Sequence, residues 1–339
     1  MSLKLYLFEP LSPLHLGGGR IGDPTEAQAL ARSDTIAAAI LSLWGHIANV
    51  GDEEITQLSE KPPFAVSSTI PAIQRNRRWE PLLPVPTGLF DRIVDPSERK
   101  TYKAVRFAPA DALCELLEGR MPHGHQARGE VLLPEDFRVS RLWQSNSRTR
   151  LAVNRLGDGP LEGQLFDFGS VAFDSAVRLA LIVDFFDPNA QPHFEAALRL
   201  LADEGLGADR SVGYGRLKLV EEEIGDYAEP KLGHGMRLCL SLLHPTEQEV
   251  RDGLLDIPAV YSIVTRGGWI SAPGASHLRR KTVSMLAEGS LVKDLGQRRY
   301  GDSPKVLEPL PELGLRHPVF RPGYAVTISA RAPEGMFHE

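Results

Sequence analysis

The segment Gly205–Arg216 (GLGADRSVGYGR) places four glycines in twelve residues between a helical pattern and a strand pattern. Glycine adopts φ > 0 without steric cost and lets another backbone approach closely. A loop built this way makes a tight connection whose two ends are fixed by their neighbours. Before it, Val177–Phe186 (VRLALIVDFF) reads as a buried strand, and Phe194, Leu198 and Leu201 recur at helical spacing over Pro192–Glu204. After it, Arg216–Val220 reads as another strand.

Upstream, Leu3–Phe8 has the apolar pattern of a buried first strand. Ser33-Asp34 offers an N-cap, and Ile36, Ile40, Leu43, Trp44 and Ile47 predict an amphipathic helix over Asp34–Val50. Strand, helix, strands, helix, strand is the order of a ferredoxin-like βαββαβ unit. The stretch Pro62–Asp136 is proline-rich and poorly periodic, with short apolar pieces such as Phe64–Val66 and a helical pattern at Asp111–Glu118. It reads as a strand pair followed by an irregular insertion over about 74–155. The acidic run Glu221–Gly235 reads as a linker. Beyond it the pattern restarts, with strands at Met236–Leu243 and Val326–Ser329, a helix at Glu247–Leu255 and a mixed stretch at Leu278–Glu288. The expected fold class is therefore α+β: two ferredoxin-like domains in tandem, 1–225 and a degenerate 235–339, with the insertion in the first.

Composition excludes several function classes. No stretch approaches the ~20 apolar residues of a membrane helix, and Pro10 and Glu9 interrupt the N-terminal apolar run before a signal-peptide core is complete. The two cysteines, Cys114 and Cys239, have no paired spacing. A cytoplasmic protein with no membrane association is expected. The formal net charge of −6 argues against coating nucleic acid by bulk attraction. It leaves room for local basic grooves. From Arg138 to Arg155 there are five arginines and no acid, and from Tyr261 to Ala287 there are Arg266, Arg279, Arg280 and Lys281, again with no acid. Simple solvated loops are the competing reading for both.

The glycine-rich loop fails two familiar nucleotide motifs. The Walker pattern needs Gly-Lys-Ser/Thr where this chain has Gly215-Arg216-Leu217, and the dinucleotide fingerprint needs a strand before and a helix after. The RNA-recognition-motif consensus is nearer, but Val212 stands where a basic residue belongs and Arg216 where an aromatic belongs. What remains open is an anion-binding concavity of backbone N–H groups with Arg210 and Arg216 at its ends and Tyr214 as a flat face, or a plain tight turn.

A glycine-rich loop before the last strand of a ferredoxin-like unit resembles the RAMP superfamily of CRISPR proteins. Ser12-Pro13-Leu14-His15-Leu16-Gly17, Ser33-Asp34-Thr35-Ile36, Leu83-Pro84-Val85-Pro86 and Asn154-Arg155 resemble, in order, segments of the branch that supplies subunit 4 of the type III-A Csm complex. So do Ser241–Pro245 (SLLHP), Arg266–Ile270 (RGGWI), Arg280-Lys281, Glu288-Gly289-Ser290 and His317–Arg321 (HPVFR). The resemblance runs from Ser12 to about Ile328 and breaks into fragments between Gln74 and Arg150. It implies a non-catalytic subunit of an antiviral ribonucleoprotein that holds the repeat-derived 5′ handle of the crRNA. The implied partners are the large palm-domain subunit and the backbone RAMP subunits, with target RNA met only indirectly. A type III-B or other variant complex is the neighbouring alternative.

A single-stranded handle is held by phosphate contacts and by splayed, stacked bases. Candidates around the loop are Gly207, Arg210, Ser211, Gly213, Tyr214, Gly215 and Arg216. Gly17, Gly18 and Ser33 should lie beside it, since the first and last strands of this fold are neighbours and a helix N-terminus favours an anion. Arg141, Asn154 and Arg155 could reach the handle–spacer junction, where Trp143 is either a stacking residue or a core anchor. Arg279, Arg280 and Lys281 belong to the RNA groove or to a partner interface, and Trp269 reads as core. His15 is an RNA contact or a structural residue. As a general acid–base it would make the chain a metal-independent endoribonuclease processing precursor crRNA, the rival function. No paired carboxylates or His/Asp/Cys clusters stand at metal-ligand spacing, so no catalytic residues, metal or cofactor are expected.

Overall fold

The computed structural model describes residues 3–17, 25–153, 160–270 and 278–334. At the centre of the first domain lies the strand Leu3–Pro10, paired antiparallel to Val177–Phe185 on one side (Leu5↔Ile182) and to Leu217–Leu219 on the other (Phe8↔Leu219). Val177–Phe185 in turn pairs with Ile70–Arg75. The sheet order is thus last, first, third, second, as a βαββαβ chain gives, and Arg78–Pro81 adds an edge.

Period-two alternation sends Tyr6, Phe8, Leu179, Leu181 and Val183 to one face. The helices Ser33–Ile47 and Gln191–Glu204 cover that face with Ile36, Ile40, Trp44, Phe194, Leu198 and Leu201. Phe194 is edge-on to both Phe64 (4.8 Å, 72°) and Phe185 (5.1 Å, 88°). Each such fully buried apolar side chain contributes about 1.5–3 kcal/mol. The first helix starts and ends three residues or fewer from the sequence expectation, but its N-cap position is Arg32, with no side-chain cap. Ser33 and Asp34 have other partners, described below.

Leu7, Ile70, Ala180 and Ile182 point to the opposite face, where they share one core with Met236, Leu238, Leu240, Leu291 and Ile328 from the second half of the chain. There, Met236–Cys239 lies between Thr327–Ala330 and Leu291–Lys293, and Ile263–Arg266 pairs with Val283–Leu286. Leu238 opposes Leu291 and Leu243 opposes Leu286. The 283–293 stretch therefore takes part in both the two-stranded pair and the three-stranded sheet, joined by the isolated bridges Leu243↔Leu286 and Val260↔Leu291. Glu247–Arg251 is a short helix held by a Thr246/Glu249 capping box, and it stops four residues before the expected Leu255. Among the described residues, 294–326 holds only a two-stranded pair, Lys305–Leu307 with Val319–Phe320, and a 3₁₀ turn.

The 74–155 insertion is not irregular. Leu83–Pro84, Phe107–Ala108, Val131–Pro134 and His125–Arg128 form a four-stranded sheet, on which helix Ala110–Leu117 buries Leu113, Leu116 and Leu117. Its prolines mark strand ends and an edge, where no ladder donor is needed (Pro84 and Pro134). Trp143–Val153 then pairs with Pro160–Phe173 in a long hairpin, from Trp143↔Phe173 to Leu151↔Leu165. No helix among the described residues is long and apolar enough to cross a membrane.

Candidate nucleic-acid interface

Helix Gln191–Glu204 ends at Gly205, which takes φ 86°. The loop then folds onto the segment after the first strand. Ala208 N–H donates to the His15 carbonyl, Gly215 N–H to that of Pro13 and Leu11 N–H to that of Arg216, each at 2.9 Å. Arg216 N–H donates to Ser12 Oγ at 2.9 Å. A Cβ on Gly207 would stand 2.4 Å from the His15 carbonyl oxygen, and one on Gly215 2.2 Å from that of Leu206. Both residues have φ > 0. Close backbone approach therefore accounts for these two glycines, which is the tight-turn reading. The expected cradle of N–H groups is correspondingly reduced, because Gly215 donates to Pro13 and Gly213 to the Arg210 carbonyl at 3.0 Å. Around Gly213, by contrast, a Cβ would meet open space.

The hairpin closes over this loop through a stack of rings and charge. His15 is buried, its imidazole stacked on Phe168 (4.3 Å, 25°), with Nδ1 2.6 Å from the Gly169 carbonyl. The Arg150 guanidinium covers Phe168 at 3.8 Å, lies 5.4 Å from the Tyr214 ring and pairs with Asp209. Tyr214 meets Phe168 edge-on at 5.6 Å. His15 is thus a peg between loop and hairpin, withdrawn from both an RNA-contact and an acid–base role by burial. Tyr214 is half-buried in the same stack. Sequence reasoning missed Phe168, Arg150 and Asp209 as site residues. Their only signal was Arg150's place in the acid-free run.

Between loop and hairpin lies an open groove of about 520 Å³, polar and apolar in equal measure, lined by Pro13, Asn146, Ser147, Arg148, Ser170, Val212, Gly213 and Tyr214. Arg148 and Arg141 are exposed and have no ion-pair partner among the described residues, and the same holds for Arg216 at the mouth of a neighbouring groove. Ser211 and Arg210 are exposed, with Arg210 3.3 Å from Glu204. Gly17 pairs with Ala27 in a short ladder and has an open Cα face. Gly18, Asn154 and Arg155 lie outside the described residues.

Two groups of candidates are elsewhere. Ser33 is buried at the junction of the two halves. Its N–H donates to Ser68 Oγ at 2.9 Å, and its own Oγ accepts from Leu242 N–H at 3.0 Å, so it is spent on joining the domains rather than facing RNA. Asp34 next to it is 2% exposed and pairs with Arg266 at 3.0 Å and with Arg321. Burial drives its carboxyl up, but the two guanidinium groups outweigh this and hold it below the usual carboxylate range. Arg280 stands beside this cluster. Arg279 covers the Trp269 ring at 4.6 Å, Lys281 is exposed, and Trp269 is 43% exposed rather than core. Arg279 and Arg280 thus face Trp269, Gly268 and the Asp34 cluster, Lys281 N–H donates to the Val306 carbonyl at 2.9 Å, and among the described residues no contact of the three reaches the glycine-rich loop. Trp143 is half-buried against Phe173 (6.2 Å, 54°) and at the edge of a junction cavity of about 190 Å³, which fits the anchor reading. Among the described residues no three His, Cys, Asp or Glu side chains are grouped to hold a metal ion.

Sheet order, glycine-rich loop and hairpin define a class that comparison with known proteins confirms. A RAMP superfamily model matches residues 7–218, and a model of the CRISPR Csm4 C-terminal domain matches residues 233–329. The chain belongs to the RAMP superfamily, and within it to the Csm4 family of type III CRISPR systems. It is 25% identical over 159 residues to the CRISPR system Cms protein Csm4 of Methanocaldococcus jannaschii, a match covering 43% of this chain and 41% of that relative. The chain thus matches less than half the length of this curated relative. Among solved structures it is similar to a chain of a Csm3-Csm4 subcomplex from a type III-A interference complex (TM-score 0.64, 17% identity, 97% of this chain and 99% of that one). It is also similar to a chain of a Csm1-Csm4 cassette in complex with cA4 (TM-score 0.57, 16% identity, 98% and 100%). Both likenesses show a shared fold.

Proposed function

We propose that the chain is a non-catalytic subunit of a type III-A CRISPR ribonucleoprotein that holds the 5′ handle of the crRNA. The observation that carries this is the open groove between the glycine-rich loop and the hairpin. Gly213 leaves one wall clear, Arg148, with no ion-pair partner among the described residues, stands on the other, and exposed Asn146 and Ser147 supply hydrogen-bonding groups beside it. Phosphate would be met by Arg148, Arg216 and Arg210, with Ser211 donating, and the hairpin would wedge against the base at the handle–spacer junction. The two halves, 1–225 and 235–339, act as tandem ferredoxin-like units, the second with no second helix among the described residues. Docking of a large palm-domain subunit and of backbone subunits follows from the family. The structural relatives come from a Csm3-Csm4 subcomplex and a Csm1-Csm4 cassette, and such a complex would act in the cytoplasm.

Full-length protein titrated with labelled single-stranded handle RNA and with a scrambled strand of equal length tests this reading. Tighter binding of the handle, with both strands left intact in EDTA, is expected. Site-specific cleavage of repeat RNA by the purified chain, or equal affinity for both strands at physiological salt, would overturn it.

A further inference from the structure

Three arginines and one aspartate meet at the junction of the two domains. Asp34 accepts from Arg266 Nε and Nη2 at 3.0 Å and from Arg321, which also donates from Nη2 to the Gly267 carbonyl at 2.9 Å. Arg280 is the third. Its electrostatic neighbours are Arg321, Asp34 and Arg266, and among the described residues it has no ion-pair partner. Three guanidinium groups against one carboxylate leave two positive charges unmatched. Buried charge is ordinarily paired, because an unmatched one costs several kcal/mol of desolvation. Here the mismatch is structural as well as electrostatic. Arg321 is only 3% exposed, and its Nε and that of Arg280 are both buried without an acceptor. Burial, followed by repulsion from Arg321, depresses the Arg280 guanidinium to about 10. The N-terminus of the fifteen-residue helix Ser33–Ile47 adds its positive end at the same point.

We propose that this cluster is a binding site for a phosphate-class anion, and that the anion is a phosphodiester of single-stranded RNA. The site is not sealed. The Arg266 side chain is 23% exposed and Arg280 half-buried. Gly268, at φ 120°, keeps the space beside Arg280 Nη2 free of a side chain, since even a Cβ there would stand 3.2 Å from that nitrogen. RNA rather than an acidic protein is favoured by what surrounds the opening. Trp269 presents 43% of its surface with Arg279 on its ring, and Lys281 is exposed with no partner among the described residues. An aromatic face between guanidinium groups suits a stacked base next to a bound phosphate. The occupant rests on the RNA-binding reading above; the anion site does not.

Thermal unfolding of the full chain in sodium chloride and in sodium phosphate of equal ionic strength tests the site itself. Phosphate should raise the wild-type midpoint by a few degrees through selective binding to the folded state. Arg280→Gln should lose most of that rise, and the exposed control Arg251→Gln should keep it. In chloride, Arg280→Gln should unfold no earlier than wild type, because it removes a charge that nothing balances, whereas a merely structural arginine would lower the midpoint. Equal phosphate responses in wild type and Arg280→Gln overturn the site. In the second arm, Arg280→Gln should weaken binding of a single-stranded RNA longer than the handle about tenfold, the effect of one charge-assisted contact. Loss of the phosphate response with RNA affinity intact, and with affinity for an acidic partner subunit reduced, overturns RNA as the occupant. If wild type binds no RNA at all, the handle-binding reading fails while the phosphate arm still decides the anion site.

Discussion

The imidazole of His15 lies against the ring of Phe168, 4.3 Å between centroids at 25°, and its Nδ1 is 2.6 Å from the carbonyl of the adjoining residue, Gly169. One side chain thereby fixes the hairpin to the strand segment on which the glycine-rich loop folds. Removing it in His15→Ala deletes a buried hydrogen bond of roughly 1–3 kcal/mol and a ring contact of about 0.5–1.5 kcal/mol. Urea unfolding should show a loss of about 2–3 kcal/mol. His15→Phe keeps the stack and should lose only the hydrogen-bond share. Neither change should alter RNA cleavage in EDTA, since none is expected from the wild-type chain.

The loop glycines separate into two kinds. Gly207→Ala brings a Cβ to 2.4 Å from the His15 carbonyl oxygen at φ 99°. It should cost about 3 kcal/mol, combining left-handed strain with overpacking. Gly213→Ala meets nothing within 4 Å at φ 94° and should cost only the conformational share, about 1–2 kcal/mol. Gly213 lines the groove, so its alanine variant should weaken handle binding out of proportion to its stability loss. Calorimetry paired with RNA titration distinguishes the two effects.

Much of the first domain was legible because its strands and helices bury one clear face each. Val177–Phe185 and the Ile36/Ile40/Trp44 stripe declare themselves by period alone. The hairpin Trp143–Phe173 did not. Residues 144–149 are exposed on both faces, so no buried side imposes an alternation on the sequence. Ser33 and Asp34 were misread for a different reason. A serine and an aspartate before an apolar stripe are the local signature of a helix cap, but Leu242, Arg266 and Arg321, more than two hundred residues away in sequence, took both side chains. The glycine-rich loop was found correctly and explained too generously. Chain order excluded nucleotide motifs, but only the fold showed that the Pro13 carbonyl takes the Gly215 N–H and the Arg210 carbonyl that of Gly213. Over 294–326 the described residues hold a two-stranded pair and a 3₁₀ turn, and no periodicity in that stretch announced them.

Asp34 should make stability fall in acid. Its carboxyl is held below its ordinary value near 3.8 in the folded protein, burial being outweighed by Arg266 and Arg321. A depressed folded value means the unfolded chain takes up the proton first. The contribution is therefore present above about 3.8 and is lost as pH falls through and below it. Asp34→Asn should remove that dependence. At neutral pH it should cost about 3–5 kcal/mol, because it leaves buried Arg321 and partly exposed Arg266 without their counter-ion. Denaturation midpoints from pH 7 to pH 3 for both proteins check the sign, which reverses if the carboxyl is protonated at neutrality.

The arginines around the groove should divide by whether the fold already uses them. Arg148 and Arg216 are exposed and without ion-pair partners among the described residues, so alanine at either should leave stability within about 0.5 kcal/mol. Each should weaken handle RNA by about 1–3 kcal/mol if it meets a phosphate, and shallow the salt dependence by about 0.7 for each phosphate it neutralises. Arg210 differs only by an exposed pairing with Glu204, which is worth little in water and should not hide an RNA contact. Arg150 stands apart, because its guanidinium lies on Phe168 and pairs with Asp209. Arg150→Ala should lower the unfolding midpoint and weaken RNA together, since the hairpin wall of the groove moves with it. Its salt slope should stay at the wild-type value, and a slope reduced as in Arg148→Ala would show Arg150 to be a phosphate ligand instead.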